Sequence, residues 1–338
     1  MNDIEKTEEI KGKSKIESIP LDLISMSDTL PPDIEYVFPA LPVGTVGIIS
    51  AGGGVGKSFW MNQAVLQVAV GGSCDFGLGG AAKVKGGAGA VIYFNLEDPV
   101  EIIHQRFFNI ANSYRKNIRE KGIQNVDGEK IHKEWDFDEE WVNDALSGVT
   151  FHALHGKQAT FLNDKGEQTV DGDWVIEECK KVRGVKLIVF DTLRRCHSGN
   201  ENDTGVMSQV LKWFEFIASI TGAAVILIHH ENKLGLNDSD AGISAIRGAS
   251  SIGDNARWAA RMRRMGKEEA EERGIDTETN KYKKYINMGL PKINYGDDAE
   301  DAWLLKDENG VMFKTELPPI INKKEGNKIK YDRNNGRL

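Results

Sequence analysis

Residues 51–58 read Ala-Gly-Gly-Gly-Val-Gly-Lys-Ser and follow a short apolar run, Val46-Gly47-Ile48-Ile49-Ser50. A glycine-rich loop between a buried strand and a helix leaves few folds open. Glycine lets backbone N–H groups close around phosphate oxygens without interference from Cβ. The pattern therefore predicts a phosphate cradle from Gly52, Gly53, Gly54, Val55, Gly56, Lys57, Ser58 and Phe59. Lys57 would reach the β- and γ-phosphates and the Ser58 hydroxyl would ligate Mg²⁺. The helix starting near Ser58 would turn the positive end of its dipole to the same anion. The usual pattern opens with Gly and here the position holds Ala51, a residue still small enough for the turn.

Between about Val46 and His230, apolar runs alternate with helical patterns. Residues 90–94 (Ala-Val-Ile-Tyr-Phe) end at Asn95-Leu96-Glu97-Asp98, residues 185–190 (Val-Lys-Leu-Ile-Val-Phe) end at Asp191, and residues 223–228 (Ala-Ala-Val-Ile-Leu-Ile) end at His229-His230. Near-continuous apolar strands separated by helices predict an α/β fold, a mainly parallel sheet covered on both faces. Ligands of such sheets bind at the carboxyl ends of the strands, so these ends converge on one nucleotide, ATP with its Mg²⁺. Asp191 reads as the acidic group holding the metal's water shell, with a simple helix cap as the alternative and Thr192 beside it able to cap too. Glu97 suits a carboxylate that polarises the attacking water; alternatively Glu97 or Asp98 caps the next helix, with Pro99 in its first turn. His230, beside His229, could sense the γ-phosphate and pass its state to the following loop.

At 338 residues, 40% hydrophobic and 28% charged, the chain has an ordinary globular composition. No apolar stretch reaches the roughly 18–20 residues of a membrane span, and the charged N-terminus is no signal peptide, so a cytoplasmic protein without a membrane partner is expected. Cys74, Cys179 and Cys196 lack paired spacing, which predicts reduced thiols rather than disulfides or a zinc site. The net charge of −8 does not suggest a nucleic-acid binder, although a channel can be locally basic inside an acidic exterior. The expected organisation is a flexible segment over 1–30, one domain over 31–320, and a basic flexible tail over 321–338. Residues 119–148 read as a charged surface insertion and 231–245 as a mobile loop, flanked by Lys233 and Arg247 as candidate contacts to a phosphate backbone. Arg257 with Arg261, Arg263 and Arg264 reads as a basic helical stretch, while residues 281–316 suit antiparallel strands at a sheet edge.

In this order the motifs resemble the RepA helicases of broad-host-range plasmids, hexameric motors with a RecA-like P-loop NTPase core. The resemblance rests on Ile34-Glu35-Tyr36-Val37-Phe38-Pro39, on Glu97-Asp98-Pro99, on Asp191-Thr192-Leu193-Arg194-Arg195, on Arg247-Gly248-Ala249-Ser250-Ser251, on Asp254-Asn255-Ala256-Arg257-Trp258 and on Lys292-Ile293-Asn294-Tyr295-Gly296. It implies a ring of six subunits with ATP at each interface and Glu97 as catalytic carboxylate. Arg257 would be a finger reaching the neighbour's nucleotide, and Lys292 a second contact in trans. Related ring helicases carry Lys-x-Arg on that late strand, where this chain has Asn294. The resemblance further implies 5′–3′ movement on single-stranded DNA gripped by the loop over 231–246, unwinding in plasmid- or phage-type replication, and a primase or initiator partner. Two rival readings keep the nucleotide: a RecA-like recombinase or repair ATPase, and a nucleotide-dependent switch without helicase activity.

Overall fold

The computed structural model describes residues 18–71, 73–74, 82–83, 88–119, 124–126, 129–131, 139–231, 252, 256–296 and 300–321. The chain divides into two compact units, 1–34 and 35–338. In the first, a single helical turn, α1 (Leu23–Ser27), is capped by the Asp22 carboxylate, which accepts from the Ile24 and Ser25 amides at 3.1 and 3.2 Å.

The second unit opens with a two-stranded ribbon, β1 (Tyr36–Phe38) and β2 (Leu41–Pro42), and then enters the main sheet with β3 (Val46–Ala51), followed by α2 (Lys57–Val70). Next come a small ribbon, β4 (Ser73–Cys74) and β5 (Ala82–Lys83), then β6 (Ala90–Asn95) and α3 (Val100–Arg119). A second ribbon, β7 (Gln124–Val126) and β8 (Glu129–Ile131), precedes α4 (Glu139–Ser147), β9 (Val149–Ala153) and α5 (Val170–Lys181). The core closes with β10 (Val185–Asp191), α6 (Leu193–Cys196), α7 (Thr204–Thr221) and β11 (Ala224–His230). The C-terminal part supplies β12 (Trp258–Arg264), α8 (Lys267–Glu272), β13 (Tyr285–Ile293), β14 (Ala302–Lys306) and β15 (Met312–Thr315).

Nine strands form the main sheet in the order β15-β14-β13-β12-β3-β11-β10-β6-β9. From β12 to β9 all neighbours are parallel, and β13, β14 and β15 add an antiparallel edge. This is the mainly parallel sheet with C-terminal antiparallel strands that the apolar runs predict. Its two faces bury separate cores. One packs Trp60, Met61, Ala64, Val65 and Val68 of α2 on Ile49, Tyr93, Val189 and Ile226. The other packs α5 and α7, through Val175, Val210, Phe214 and Ile217, on Ile48, Phe94, Phe190 and Leu227. Each large side chain so buried contributes roughly 1.5–3 kcal/mol of transfer free energy, so the strand ends project from a stiff platform. Gly47 is required where β12 closes on β3: a Cβ there would lie 2.7 Å from the Trp258 ring and 2.9 Å from Ile226 Cδ1.

Two expectations are corrected. Residues 257–264 are not a helical stretch. Trp258–Arg264 is a strand paired with β3 on one side and β13 on the other. Ala, Arg and Met favour helix intrinsically, but ladder bonds on both sides and burial of Trp258, Ala259, Ala260 and Met262 override that weak preference. The charged insertion is not all surface either: Val142 and Ala145 of α4 are buried against Leu66, Ile110 and Tyr114. The antiparallel strands expected within 281–316 are present as β13, β14 and β15. Cys179 and Cys196 are free and buried, and burial pushes the Cys179 thiol up to about 12, out of thiolate chemistry.

Candidate nucleotide site

The P-loop forms between β3 and α2 as its glycines allow. Gly54 (φ 70°) and Gly56 (φ 117°) occupy left-handed backbone that a side chain would strain, and Gly56 stands at the N-cap of the 14-residue α2. Lys57 is buried and its Nζ donates to the Ala51 carbonyl at 2.7 Å and, more weakly, to Gly52 O at 3.4 Å. Burial pushes its pKa down to about 8, opposed by the negative charges of Asp191, Glu231 and Glu97.

Asp191 ends β10, separated from β3 by β11. Its carboxylate is fully buried, and Oδ2 accepts from the Tyr93 hydroxyl at 2.7 Å and from Asn95 Nδ2 at 3.4 Å. Desolvation raises its pKa to about 6; the Tyr93 and Ser58 hydroxyls oppose the rise, and the charges of Asp98 and Glu97 add to it. Oδ1 is enclosed without a hydrogen bond of normal geometry, although the Ser58 hydroxyl is near enough to favour the ionised form. A buried carboxylate oxygen left free beside a serine hydroxyl fits a hard cation that also draws on phosphate oxygens and water. Among the described residues no group of three or more His, Cys, Asp or Glu could hold a metal by itself. A magnesium carried in with a nucleotide is the ion this donor set suits.

Glu97 lies two residues beyond β6, half exposed, and its carboxylate is the hub of the site. Oε1 accepts from the Thr192 hydroxyl at 2.9 Å and stands 3.8 Å from Arg195 Nε. Oε2 is 3.4 Å from His230 Nε2, and the other imidazole nitrogen, Nδ1, is 3.3 Å from Lys57 Nζ. Lys57, His230 and Glu97 thus form a continuous polar chain across the strand ends. The hydrogen bond with His230 is the main reason the Glu97 carboxyl sits below its ordinary range; burial opposes it, while Thr192 and Arg195 reinforce it. Both oxygens of Asp98 take Arg106, at 2.6 and 3.0 Å, and Oδ2 also accepts from Asn95 Nδ2 at 3.4 Å.

The two adjacent histidines part company because side chains alternate across a strand. His230 reaches the site, whereas His229 is buried with neither ring nitrogen bonded and is pushed down to about 4 by burial. Arg257 and Lys292 are not at this site. Arg257 is exposed just before β12, where its carbonyl accepts from the Asn294 amide at 3.1 Å, and Lys292 pairs with Ala259. Trp258 pairs with Gly47, at the far end of β3 from Ala51. At about 3.3 Å per residue, the four steps from Gly47 to Ala51 place the two levels roughly 13 Å apart, further than an arginine can extend. Lys233 and Arg247 lie outside the described residues.

Several participants carry no sequence signal for the part they take in the site. Tyr93 reads only as a strand residue, and Asn95 only as the polar close of its strand. Glu231 looked like loop, yet its carboxylate is buried in an ion pair with Arg261 at 3.0 Å and accepts from the Ser50 hydroxyl at 3.1 Å. Arg264 and Lys306 reach P-loop carbonyls, at Gly54 and at Val55 (2.9 Å). No helix among the described residues is long and apolar enough to cross a membrane.

Among solved structures, the chain is similar to a DnaB-like replicative helicase, described together with its interactions with primase, at a TM-score of 0.54 and 12% identity over 87% of this chain and 67% of that chain. It is also similar to the RadB recombinase at a TM-score of 0.45, 13% identity, 81% of this chain and 92% of that one. The first likeness shows a RecA-like P-loop fold. The family model described as AAA domain, AAA_25, matches residues 13–235, most of the chain and all the site-bearing strands from β3 to β11. With its phosphate loop, strand-end carboxylates and mainly parallel sheet in place, this chain belongs to the AAA_25 family of AAA-domain ATPases.

Proposed function

We propose that this chain is the subunit of a ring-shaped, ATP-driven DNA helicase of the RepA type, with residues 31–320 as the motor domain. The observation that carries the reading is a separation. Lys57, Glu97, Asp191 and His230 meet at one edge of the sheet, while Arg257 and Lys292 sit together at the other, beyond reach of their own P-loop. A site holding an anionic transition state needs cations on both sides of the transferred phosphoryl group. Here the second set comes from an adjacent copy, which makes hydrolysis depend on how neighbours dock.

In this reading the P-loop amides and Lys57 bind the β- and γ-phosphates of ATP. Ser58 and Asp191 hold the Mg²⁺, which would supply charge neutralisation on the phosphates. Glu97, ionised at neutral pH, accepts a hydrogen bond from the attacking water and orients it in line with the γ-phosphorus. Thr192 and Arg195 fix that carboxylate. His230, placed between Lys57 and Glu97, exchanges its lysine contact for the γ-phosphate and loses that partner when phosphate leaves. It ends β11, so the change would pass to the segment after Glu231, to which the proposal assigns Lys233 and Arg247 as contacts to single-stranded DNA. Six subunits, 5′–3′ movement and a primase or initiator partner follow from the resemblance to the RepA helicases and stand as part of the proposal.

The test is steady-state ATP hydrolysis with and without single-stranded DNA, alongside the mass in solution. A six-subunit species strongly stimulated by DNA is expected. A slow, DNA-indifferent monomer or dimer would remove the helicase and leave a nucleotide-dependent switch.

The site also fixes a pH dependence. Asp191 must be ionised to hold magnesium, and with its pKa raised to about 6 it protonates as pH falls through that value. Lys57 must be protonated to bind phosphate, and with its pKa lowered to about 8 it loses its charge as pH rises past that value. Because kcat/KM reports the free enzyme, its profile should be bell-shaped, with limbs near these two values. A flat profile between pH 5 and pH 9 would show that neither group governs binding.

A further inference from the structure

Two cations outside the sequence motifs grip the phosphate loop from within the same chain. β12 ends at Arg264 and β14 ends at Lys306, on either side of β13, and both ends lie at the edge where β3 runs into the loop. Arg264 Nη2 donates to the Gly54 carbonyl, and Lys306 Nζ donates to the Val55 carbonyl at 2.9 Å.

In a planar trans peptide the C=O of one residue and the N–H of the next point in opposite directions. A cation holding Gly54 O on the outside of the loop therefore turns the Val55 N–H inward. One holding Val55 O does the same for the Gly56 N–H. These are loop amides that a phosphate would use. Left to itself, a run of three glycines samples many conformations, and each ordered residue costs roughly 1–2 kcal/mol of backbone entropy. Anchoring the carbonyls removes much of that cost before an anion arrives.

The anchors are themselves fixed. A Cβ on Gly56 would lie 2.5 Å from Met312 Cε and 3.0 Å from Lys306 Nζ, so the β14–β15 hairpin packs directly on the loop. Gln63 of α2 ties the hairpin down through both backbone groups of Met312, accepting from its amide at 2.9 Å and donating to its carbonyl at 3.1 Å. Lys306 is half-buried next to Arg264, with its pKa lowered by burial and by that neighbouring charge. Like charges crowded beside the cradle gain from a phosphate anion.

We propose that Arg264 and Lys306 are positioning residues, a clasp supplied by the antiparallel edge of the same subunit that presets the P-loop amides for the phosphates of a nucleoside di- or triphosphate. The clasp acts in addition to Lys57 and needs no neighbouring copy. It rests on the nucleotide reading of the P-loop given above.

The experiment is MgADP binding by calorimetry at pH 7 to the full chain and to Lys57→Ala, Lys306→Met, Lys306→Arg and Arg264→Met, with KM and kcat for ATP measured in parallel. Lys306→Met should weaken MgADP about tenfold, as expected for a charge-assisted hydrogen bond in a half-buried setting. Lys306→Arg should recover most of that loss, and KM should rise more than kcat falls. Arg264→Met, at an exposed position, should weaken MgADP about threefold and serves if Lys306→Met fails to fold. Unchanged affinity in the folded methionine variants, with Lys57→Ala still abolishing binding, overturns the clasp and keeps the nucleotide site. A loss in Lys306→Arg equal to that in Lys306→Met also overturns it, since the role would then be packing. If the unaltered chain does not bind MgADP, the nucleotide reading falls and the clasp with it.

Discussion

Replacing Glu97 by Gln should leave ATP bound and stop its turnover. Glu97 touches neither the P-loop nor Asp191; its partners are Thr192, Arg195 and His230. Glutamine keeps the shape and can still accept from the Thr192 hydroxyl through its carbonyl oxygen, so the fold of the site survives. What disappears is the negative charge that attracts and orients a water proton. Removal of a general base or water-positioning carboxylate costs about 10²–10⁴-fold in rate, and single-turnover hydrolysis should fall in that range while MgATP affinity stays within a few-fold. A secondary effect has a defined sign. Glu97 is one of the charges that raise the Lys57 pKa against the pull of burial, so its neutralisation should move the alkaline limb of kcat/KM to lower pH. Turnover in Glu97→Gln within about tenfold of the unaltered protein would assign the catalytic carboxylate elsewhere.

The parts of this site that were legible in the sequence share a physical property: their chemistry is fixed by local spacing. Gly-Lys-Ser after an apolar run, a carboxylate closing a strand and His230 ending β11 each declare themselves within a few residues. The convergence of Lys57, Glu97, Asp191 and His230 then follows from parallel strands sharing one carboxyl edge. What stayed hidden depends on contacts across the sheet. Tyr93 looks like any buried aromatic, yet register places it opposite Val189, and its hydroxyl lies on the carboxylate of Asp191. Glu231, adjacent to a polar loop, reads as solvent-exposed until Arg261 of β12 is folded beside it. The arginines of β12 read as helical because seven residues of Trp, Ala, Arg and Met show no alternation: both faces of a central strand are covered, and Arg261 and Arg264 meet partners remote in sequence, at Glu231 and Gly54. Lys306 is a lone cation near the C-terminal side, and nothing within 200 residues of sequence indicates that it meets Val55.

Arg257→Ala provides the largest expected loss that spares the nucleotide pocket of its own subunit. Arg257 is exposed and lies at the sheet edge opposite the P-loop, so removing its side chain should leave folding, MgATP affinity and assembly close to unaltered. If its guanidinium completes the neighbour's site, hydrolysis should drop by about 10³-fold or more, the range for a finger that stabilises developing phosphoryl charge. Mixing distinguishes this from a defect within one subunit. An Arg257→Ala subunit retains an intact P-loop, whereas a Lys57→Ala subunit retains an intact finger. In a ring of shared sites, a Lys57→Ala neighbour restores hydrolysis at the P-loop of the Arg257→Ala chain, so two nearly inactive proteins regain activity when co-assembled. The recovered rate should follow the statistical fraction of interfaces that pair an intact P-loop with an intact finger. If the mixture stays as inactive as its components while mass measurements confirm mixed assemblies, Arg257 does not act across the interface, and hydrolysis is not coupled to ring geometry through it. Lys292→Ala in the same assay separates the two cations of that edge. A loss that the same mixing repairs places Lys292 beside Arg257 in the neighbour's site. A loss confined to assembly makes Lys292 an interface residue instead.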